Sequence, residues 1–449
     1  VAKESKHHFD LLSGRFLEAR IPLLIAAASL VCISLVTIYA IGHPSTEPDE
    51  PVGVGAAGDA AVSSEDTADG PRVSVSNRYA GDWKRQAAYA AGGVVCLIAV
   101  NLFDYRRLGP FSYAIYAVIL VLLVVLLVDK YIDLPFVPFI NNSRRWIRIT
   151  ILGRDLLQIQ PSEFCKVGFI IALAWYLRFR ENYRTFTGLV GPFAITLLAI
   201  VLILRQPDLG TVMLMMPILF AMLFVAGARV KHLLLIIFLA VLATPALWHF
   251  MHSYQRMRIS SVLLQNDRIF AAAEANPRLA EILVGDKDKL RTWRVGEGYH
   301  LLHSKQAIAA GGVWGYGFGK GPYIRYDYLP ERHNDFIFGA IAHQFGLVGC
   351  MVVLLLYTVI IAAAMEIAWL NTDAFGRMIA AGIGAMFAVE VLVNVNMTLG
   401  LMPITGLTLP LVSYGGSSMI VHMIAIGLLN NIGRSRPFSV AKKPFEFKS

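Results

Sequence analysis

Ten apolar blocks, most of about 20 residues, run through this 449-residue chain, each bounded by charge or by Gly and Pro. The hydrocarbon core of a bilayer needs an α-helix of about 20 apolar residues, and no single globular core absorbs ten such blocks. Composition agrees. Hydrophobic residues make up 56%, charged residues only 16%, and mean hydropathy is +0.58, against roughly 25% charged residues in a soluble protein. A soluble enzyme, a disordered chain and a secreted disulfide scaffold are excluded. The expected fold is an all-α integral membrane protein with spans at 20–42, 86–103, 110–129, 162–178, 187–204, 210–228, 232–250, 336–364, 377–399 and 414–432. Four cysteines lie inside apolar blocks without a CxxC pair, which reads as small buried thiols rather than zinc or redox chemistry.

Ten spans put both termini on one side. Short loops carry the charge rule, and long ones escape it. Without the 85-residue loop 251–335, the terminal side holds 17 Lys and Arg against 10 opposite. Both termini are therefore expected in the cytoplasm: a segment at 1–19, the membrane domain at 20–432 and a basic tail at 433–449. An acidic stretch at 43–82, rich in Gly, Ala and Ser and without apolar period, reads as a disordered outer insertion. The net charge of +9 reports orientation and anionic membrane lipid rather than nucleic acid. Arg144, Arg145, Arg148 and Arg154, with twelve more basic residues in 251–335, lie outside against this bias. They favour an anionic ligand at the outer leaflet.

Four segments combine polar residues with helix breaks. Residues 144–166 end in QPSEFCK, where Pro161 opens a span and Glu163 and Lys166 fall on one face; such a pair is expected to face a polar cavity. In RQPDLG (205–210), Asp208 is placed to cap the next span, with Arg205 as its partner or a phosphate's. Residues 299–338 include six glycines between 311 and 321, read as a closely packed loop because the Ser or Thr of a nucleotide-binding loop is missing. In the same segment lies the knot Glu331, Arg332, His333 and Asp335. Asp335 is expected to cap the span that follows, and Arg332 to meet a pyrophosphate; alternate spacing is weak support for a metal. In MPITGLTLPLVSYGGSS (402–418), Ser417 stands at a helix start open to an anion or to tight packing.

Together these motifs resemble the SEDS family of RodA, FtsW and SpoVE over nearly the whole chain from residue 86, with YHxxxSKxAIxxGG and PERH spelled most like RodA. The resemblance implies a peptidoglycan glycosyltransferase that polymerises lipid II, an undecaprenyl-pyrophosphate-linked disaccharide peptide, at the outer face of the bacterial cytoplasmic membrane. It implies a class B penicillin-binding transpeptidase as partner, in cell elongation or division. No cofactor or protein metal site is required; a divalent cation, Mg or Mn, is compatible with the pyrophosphate. The residues carried over are Arg144, Arg145, Arg256 and Arg332 for pyrophosphate, Glu163 and Lys166 for the cavity, and Asp208, Lys305, His333, Asp335 and Ser417 around the substrate.

One departure matters. Glycosyl transfer needs a base for the acceptor hydroxyl, and a carboxylate is the expected agent. The family's Asp stands three residues before the first glycine of G-x-G-Y-H; here that position is Trp293, before Gly296. An insertion at about 264–291 precedes it. Three readings stay open. Glu297 serves as base, Asp286 or Asp288 folds back to serve, or catalysis is lost and a lipid II-binding scaffold remains. A lipid flippase is a further alternative, although no inverted repeat links the halves. His343-Gln344, where the family carries acidic residues, is a second departure.

Overall fold

The computed structural model describes residues 15–45, 79–129, 132–139, 144–151, 154–179, 184–285, 287–326, 328–329 and 331–434. Most of the acidic stretch expected at 43–82, and nearly all of the basic tail, lie outside the described residues. The chain runs α1 (Arg15–Gly42), α2 (Asp82–Leu102) and α3 (Leu108–Val128), then a hairpin of β1 (Ile147–Ile151) and β2 (Arg154–Ile159). Next come α4 (Pro161–Leu177), α5 (Val190–Leu204), α6 (Leu209–Ala226) and α7 (Val230–Phe250). Six shorter helices follow: α8 (Ser253–Leu264), α9 (Asp267–Ala275), α10 (Pro277–Val284), α11 (Lys287–Thr292), α12 (Glu297–Gly311) and α13 (Pro322–Arg325). The long helices α14 (Ile337–Leu370), α15 (Ala374–Thr398) and α16 (Gly416–Arg434) close the fold.

Among the described residues, nine helices are long and apolar enough to cross a membrane. The tenth expected span is α4, with 17 residues. It is nearly all buried and packs against α3, α5, α6, α15 and α16. A helix enclosed by other helices does not have to match the lipid thickness, because its neighbours satisfy its ends. The opposite extreme is α7, where Leu233 is the one buried residue; a lipid-facing apolar cavity of about 340 Å³ separates it from Phe193 of α5 and Phe220 of α6.

Small residues set the closest contacts. On α2, a Cβ on Gly93 would press on Met423 of α16, and one on Gly427 would lie 3.2 Å from the Leu97 main chain. Without a hydrophobic driving force between helices in lipid, such close approach is what holds a pair together. Asn101 and Asn430 then bond across the same interface, Asn430 Nδ2 donating to Asn101 Oδ1 at 2.7 Å.

The glycine-rich run 311–321 has a structural task. Helix α14 is broken at Gly346 (φ 62°, ψ −160°), which frees backbone groups that lipid cannot satisfy. The glycine loop satisfies them. Tyr316 N and Gly317 N donate to the carbonyls of His343 and Gln344, while Leu347 N and Val348 N donate to Gly312 and Val313. Gln344 adds its side chain, Oε1 accepting from Gly319 N at 3.1 Å. Gly315 (φ 74°) lies so close that a Cβ would overlap the Gln344 carbonyl.

Gly315→Ala is therefore expected to cost about 2–4 kcal/mol, through left-handed strain plus overlap. Gly92→Ala in α2, where a Cβ meets nothing within 4 Å, is expected to be neutral or mildly stabilising. Thermal unfolding of the two purified variants in detergent checks the contrast; equal midpoints would remove the packing argument.

Candidate functional site

Pro161 occupies the first turn of α4, where its missing N–H costs nothing. The break before it is tied to two other breaks. Ser417, at the start of α16, accepts from Gln160 N at 2.9 Å and donates to Gln158 O at 3.0 Å. The expected anion site at that helix start is thus filled by the chain itself, the packing alternative. Asp208 caps α6 as expected, accepting from Thr211 N at 3.2 Å, and also accepts from Ser162 Oγ and Thr211 Oγ1 at 2.9 Å. Its carboxylate is fully engaged in joining α4 to α6, and Arg205 is not its partner.

The arginines divide. Arg144 is held by Asp129 and Asp133, at 2.8 Å each. Arg332 is buried and donates to the carbonyls of Tyr323 (3.2 Å) and Ile324 (2.7 Å), fastening the outer loop. Arg145 uses two donors on the carbonyls of Gln206 (2.9 Å) and Pro207 (2.6 Å), holding the break before α6. Its pKa is lowered, first by burial and also by Arg258, against the pull of Asp208 and Asp335. Arg256 donates to His249 O at 2.8 Å. Lys305 donates to Gln265 Oε1 at 2.8 Å, and Gln265 in turn to Gly400 O at 2.6 Å, a strut between α12, α8 and the end of α15.

Asp335 does not cap α14. The helix starts two residues later, with Phe336 at the cap position and no side-chain cap bond. The segment 331–336 is instead clipped to the loop before α16. Asn394 Nδ2 donates to the carbonyls of Asp335 (2.9 Å) and Leu407 (2.6 Å), Ser413 Oγ donates to Asn334 O (2.7 Å), and Tyr414 N donates to His333 O (2.8 Å). His333 packs its ring between Tyr79 and Tyr414. Burial pushes the Asp335 carboxyl up to about 7; Glu331 and Asp208 add to the rise, and Arg258 and Arg145 oppose it. The charges of Asp208 at the start of α6, Arg145 just before β1 and Arg258 within α8 thus act on Asp335 just before α14.

Glu163 and Lys166 meet as their spacing implies, Nζ to Oε2 at 2.8 Å, but not as the wall of an open cavity. Lys166 is 1% exposed. Its Nζ lies 2.6 Å from Glu390 Oε1 of α15, and Glu390 Oε2 lies 2.6 Å from His422 Nε2 of α16. His422 Nδ1 then sits 2.7 Å from Ser418 O. A four-member polar chain therefore crosses three helices.

The catalytic candidates fare unequally. Trp293 is 1% exposed, in an apolar cluster with Leu264, Phe270, Leu283 and Leu290, and its Nε1 donates to Ser261 Oγ at 3.0 Å. Asp288 lies exposed on α11, which packs on α9 and α10. Glu297 opens α12, and its side chain, like Asp286, lies outside what the structure describes. Among the described residues, no three His, Cys, Asp or Glu side chains gather as a metal site.

Comparison with known proteins decides the family. The FtsW/RodA/SpoVE model, described as "cell cycle protein", matches residues 68–437. The chain belongs to this family. Stage V sporulation protein E of Bacillus subtilis is 33% identical over 358 residues, covering 78% of this chain and 86% of the relative. The peptidoglycan glycosyltransferase RodA of Treponema pallidum is 31% identical over 405 residues, covering 78% and 89%. A chain in the solved structure "Structural coordination of polymerization and crosslinking by a peptidoglycan synthase complex" superposes with a TM-score of 0.66 at 28% identity, covering 92% of this chain and 96% of that one.

In this family member, sequence reasoning missed Glu390 and His422. Each is an ionisable residue in the middle of an apolar span, which is itself a signal, but nothing in sequence pairs them with Lys166. Replacing Lys166 by Met strands two buried carboxylates and is expected to cost about 3–5 kcal/mol. Adding Glu390→Gln removes one of them and should recover part of the loss. Unfolding midpoints of the single and double variants test this; identical midpoints would mean the chain carries no charge coupling.

Proposed function

We propose that this chain is a peptidoglycan glycosyltransferase that polymerises lipid II at the outer face of the bacterial inner membrane, with both termini in the cytoplasm. The observation that carries the reading is the family match over residues 68–437, and the charges of Arg145 and Arg258 act on Asp335 just before α14. A lipid-linked pyrophosphate leaving group needs cations where its charge develops, and the acceptor hydroxyl needs a carboxylate. Arg145 and Arg258 supply the first. A divalent cation such as Mg or Mn, carried by the pyrophosphate, adds to them.

Relatives named as peptidoglycan glycosyltransferases support the activity. The solved synthase complex supports a partner that crosslinks, which we assign to a class B penicillin-binding transpeptidase. The PERH and YHxxxSKxAIxxGG spellings favour a RodA-like role in elongation. Trp293, buried where the family's Asp stands, favours a second reading: a scaffold that binds lipid II and recruits the transpeptidase without catalysis.

Purified protein is expected to convert lipid II into glycan strands resolved by gel electrophoresis, alone or with its cognate transpeptidase. Absence of strands in both arms, with lipid II still bound, would establish the scaffold instead.

A further inference from the structure

We propose that Asp335 is the general base of this chain, taking the proton of the acceptor sugar's 4-hydroxyl as that oxygen attacks the anomeric carbon of the donor. The inference rests on the glycosyltransferase reading and names the residue that reading lacks.

The family's Asp position and Asp288 are placed elsewhere, and the side chains of Glu297 and Asp286 lie outside the described residues. The family's Asp position is filled by Trp293, whose ring completes the apolar core of the inserted helices and whose one polar atom is bonded to Ser261. Asp288 is exposed on α11, remote in packing from the long helices. Four acids of the spans and their outer ends are already engaged, while Asp82 is half-buried in the first turn of α2. Asp129 is paired with Arg144, Asp208 accepts from Ser162 and Thr211, and Glu163 and Glu390 share Lys166.

Asp335 differs from these four. Its main chain is fixed by Asn394 of α15, and the residues on either side of it are fixed through Ser413 and α14. Among the described residues its carboxylate has neither a hydrogen-bond nor an ion-pair partner, and the residue is half-buried. The groups acting on it are Glu331 of its own segment, Asp208 at the start of α6, Arg145 before β1 and Arg258 of α8. The loop before α16 presents Gly406 to it, where an added Cβ would lie 3.4 Å from Oδ2. A backbone held by hydrogen bonds and an unengaged carboxylate, acted on by the charges of Arg145 and Arg258, suit proton abstraction beside a departing pyrophosphate. Its pKa of about 7 matches a base working near neutral pH.

The step balances with these parts alone. The acceptor oxygen forms a bond to the anomeric carbon, and the bond from that carbon to the pyrophosphate oxygen breaks. The electron pair leaves with the lipid pyrophosphate, facing Arg145 and Arg258. The proton rests on Asp335 and passes to water.

The test uses the full-length protein with lipid II, measuring strand synthesis between about pH 5.5 and 8.5 together with lipid II binding. Asp335→Asn is expected to slow synthesis roughly 100-fold or more while binding stays within about threefold of wild type. The wild-type rate should rise with pH through a limb near 7, because only the ionised carboxylate accepts the proton. Asp335→Glu should retain part of the rate with that limb displaced. Asp335→Asn within about twofold of wild type, or an Asp335→Glu limb that does not move, overturns the proposal; loss of activity in Glu297→Gln instead would name the true base. Should Asp335→Asn fail to fold, the Asp335→Glu profile decides. A wild type that binds lipid II and makes no strands defeats the glycosyltransferase reading itself, a result distinct from a silent Asp335.

Discussion

Lys166 carries its ammonium in the interior of the helix bundle, 1% exposed, and the surrounding helices are arranged to make that tolerable. An uncompensated charge there costs several kcal/mol. Glu163 one turn away and Glu390 on α15 offset it, and His422 on α16 takes the remaining oxygen of Glu390. These contacts are directional, so they fix the rotation of α4, α15 and α16 about their axes, which apolar packing alone does weakly. The outer end of α4 inherits that setting. Ser162, one residue before Glu163, bonds to Asp208, and Gln160 bonds to Ser417. The outer face is positioned from the buried chain outward.

The outer face itself is built from interrupted helices. Each interruption exposes backbone groups that must find partners inside the protein, and each finds them in another interruption. The break before α6 is held by Arg145, the kink of α14 by the glycine loop, and the segment before α14 by Asn394 and the loop before α16. Broken helices that brace one another make a rigid outer end for the bundle. Most of the polar residues there are consumed by this bracing. Arg144, Arg332, Asp208 and Ser417 all carry functional-looking chemistry and all hold protein.

What could be seen in the sequence follows from how local the controlling interaction is. Nine of the expected spans are legible because lipid imposes length and hydropathy on each one separately, and the buried α4 is legible from its own apolar run. The Asp208 cap and the Glu163–Lys166 pair are legible because they close within three residues. Glu390 lies 224 positions from Lys166, and only the packing of α4 on α15 joins them. The hairpin of β1 and β2 escapes notice because its cationic residues draw attention to ligands rather than to alternation. Asp335 reads as a helix cap from spacing, but Glu331 (φ 52°) opens a turn that delays the helix past Phe336. Arginines invite a phosphate in sequence; whether a carbonyl or carboxylate claims them first is decided by tertiary structure.

The inserted helices bear on catalysis through this same competition. Helices α9 to α11 bring their own apolar cluster, and Trp293 is part of it. A carboxylate at that position would be buried among Leu264, Phe270 and Leu283, where its charge would be costly. The insertion and the loss of the family's Asp are therefore one event in physical terms. A residue that belongs to a packed core cannot also project into a polar recess. Our proposal draws the carboxylate instead from a part of the outer face outside the inserted helices, the braced segment before α14. That segment already has what a base needs and a brace does not: a carboxylate that the rest of the fold does not use.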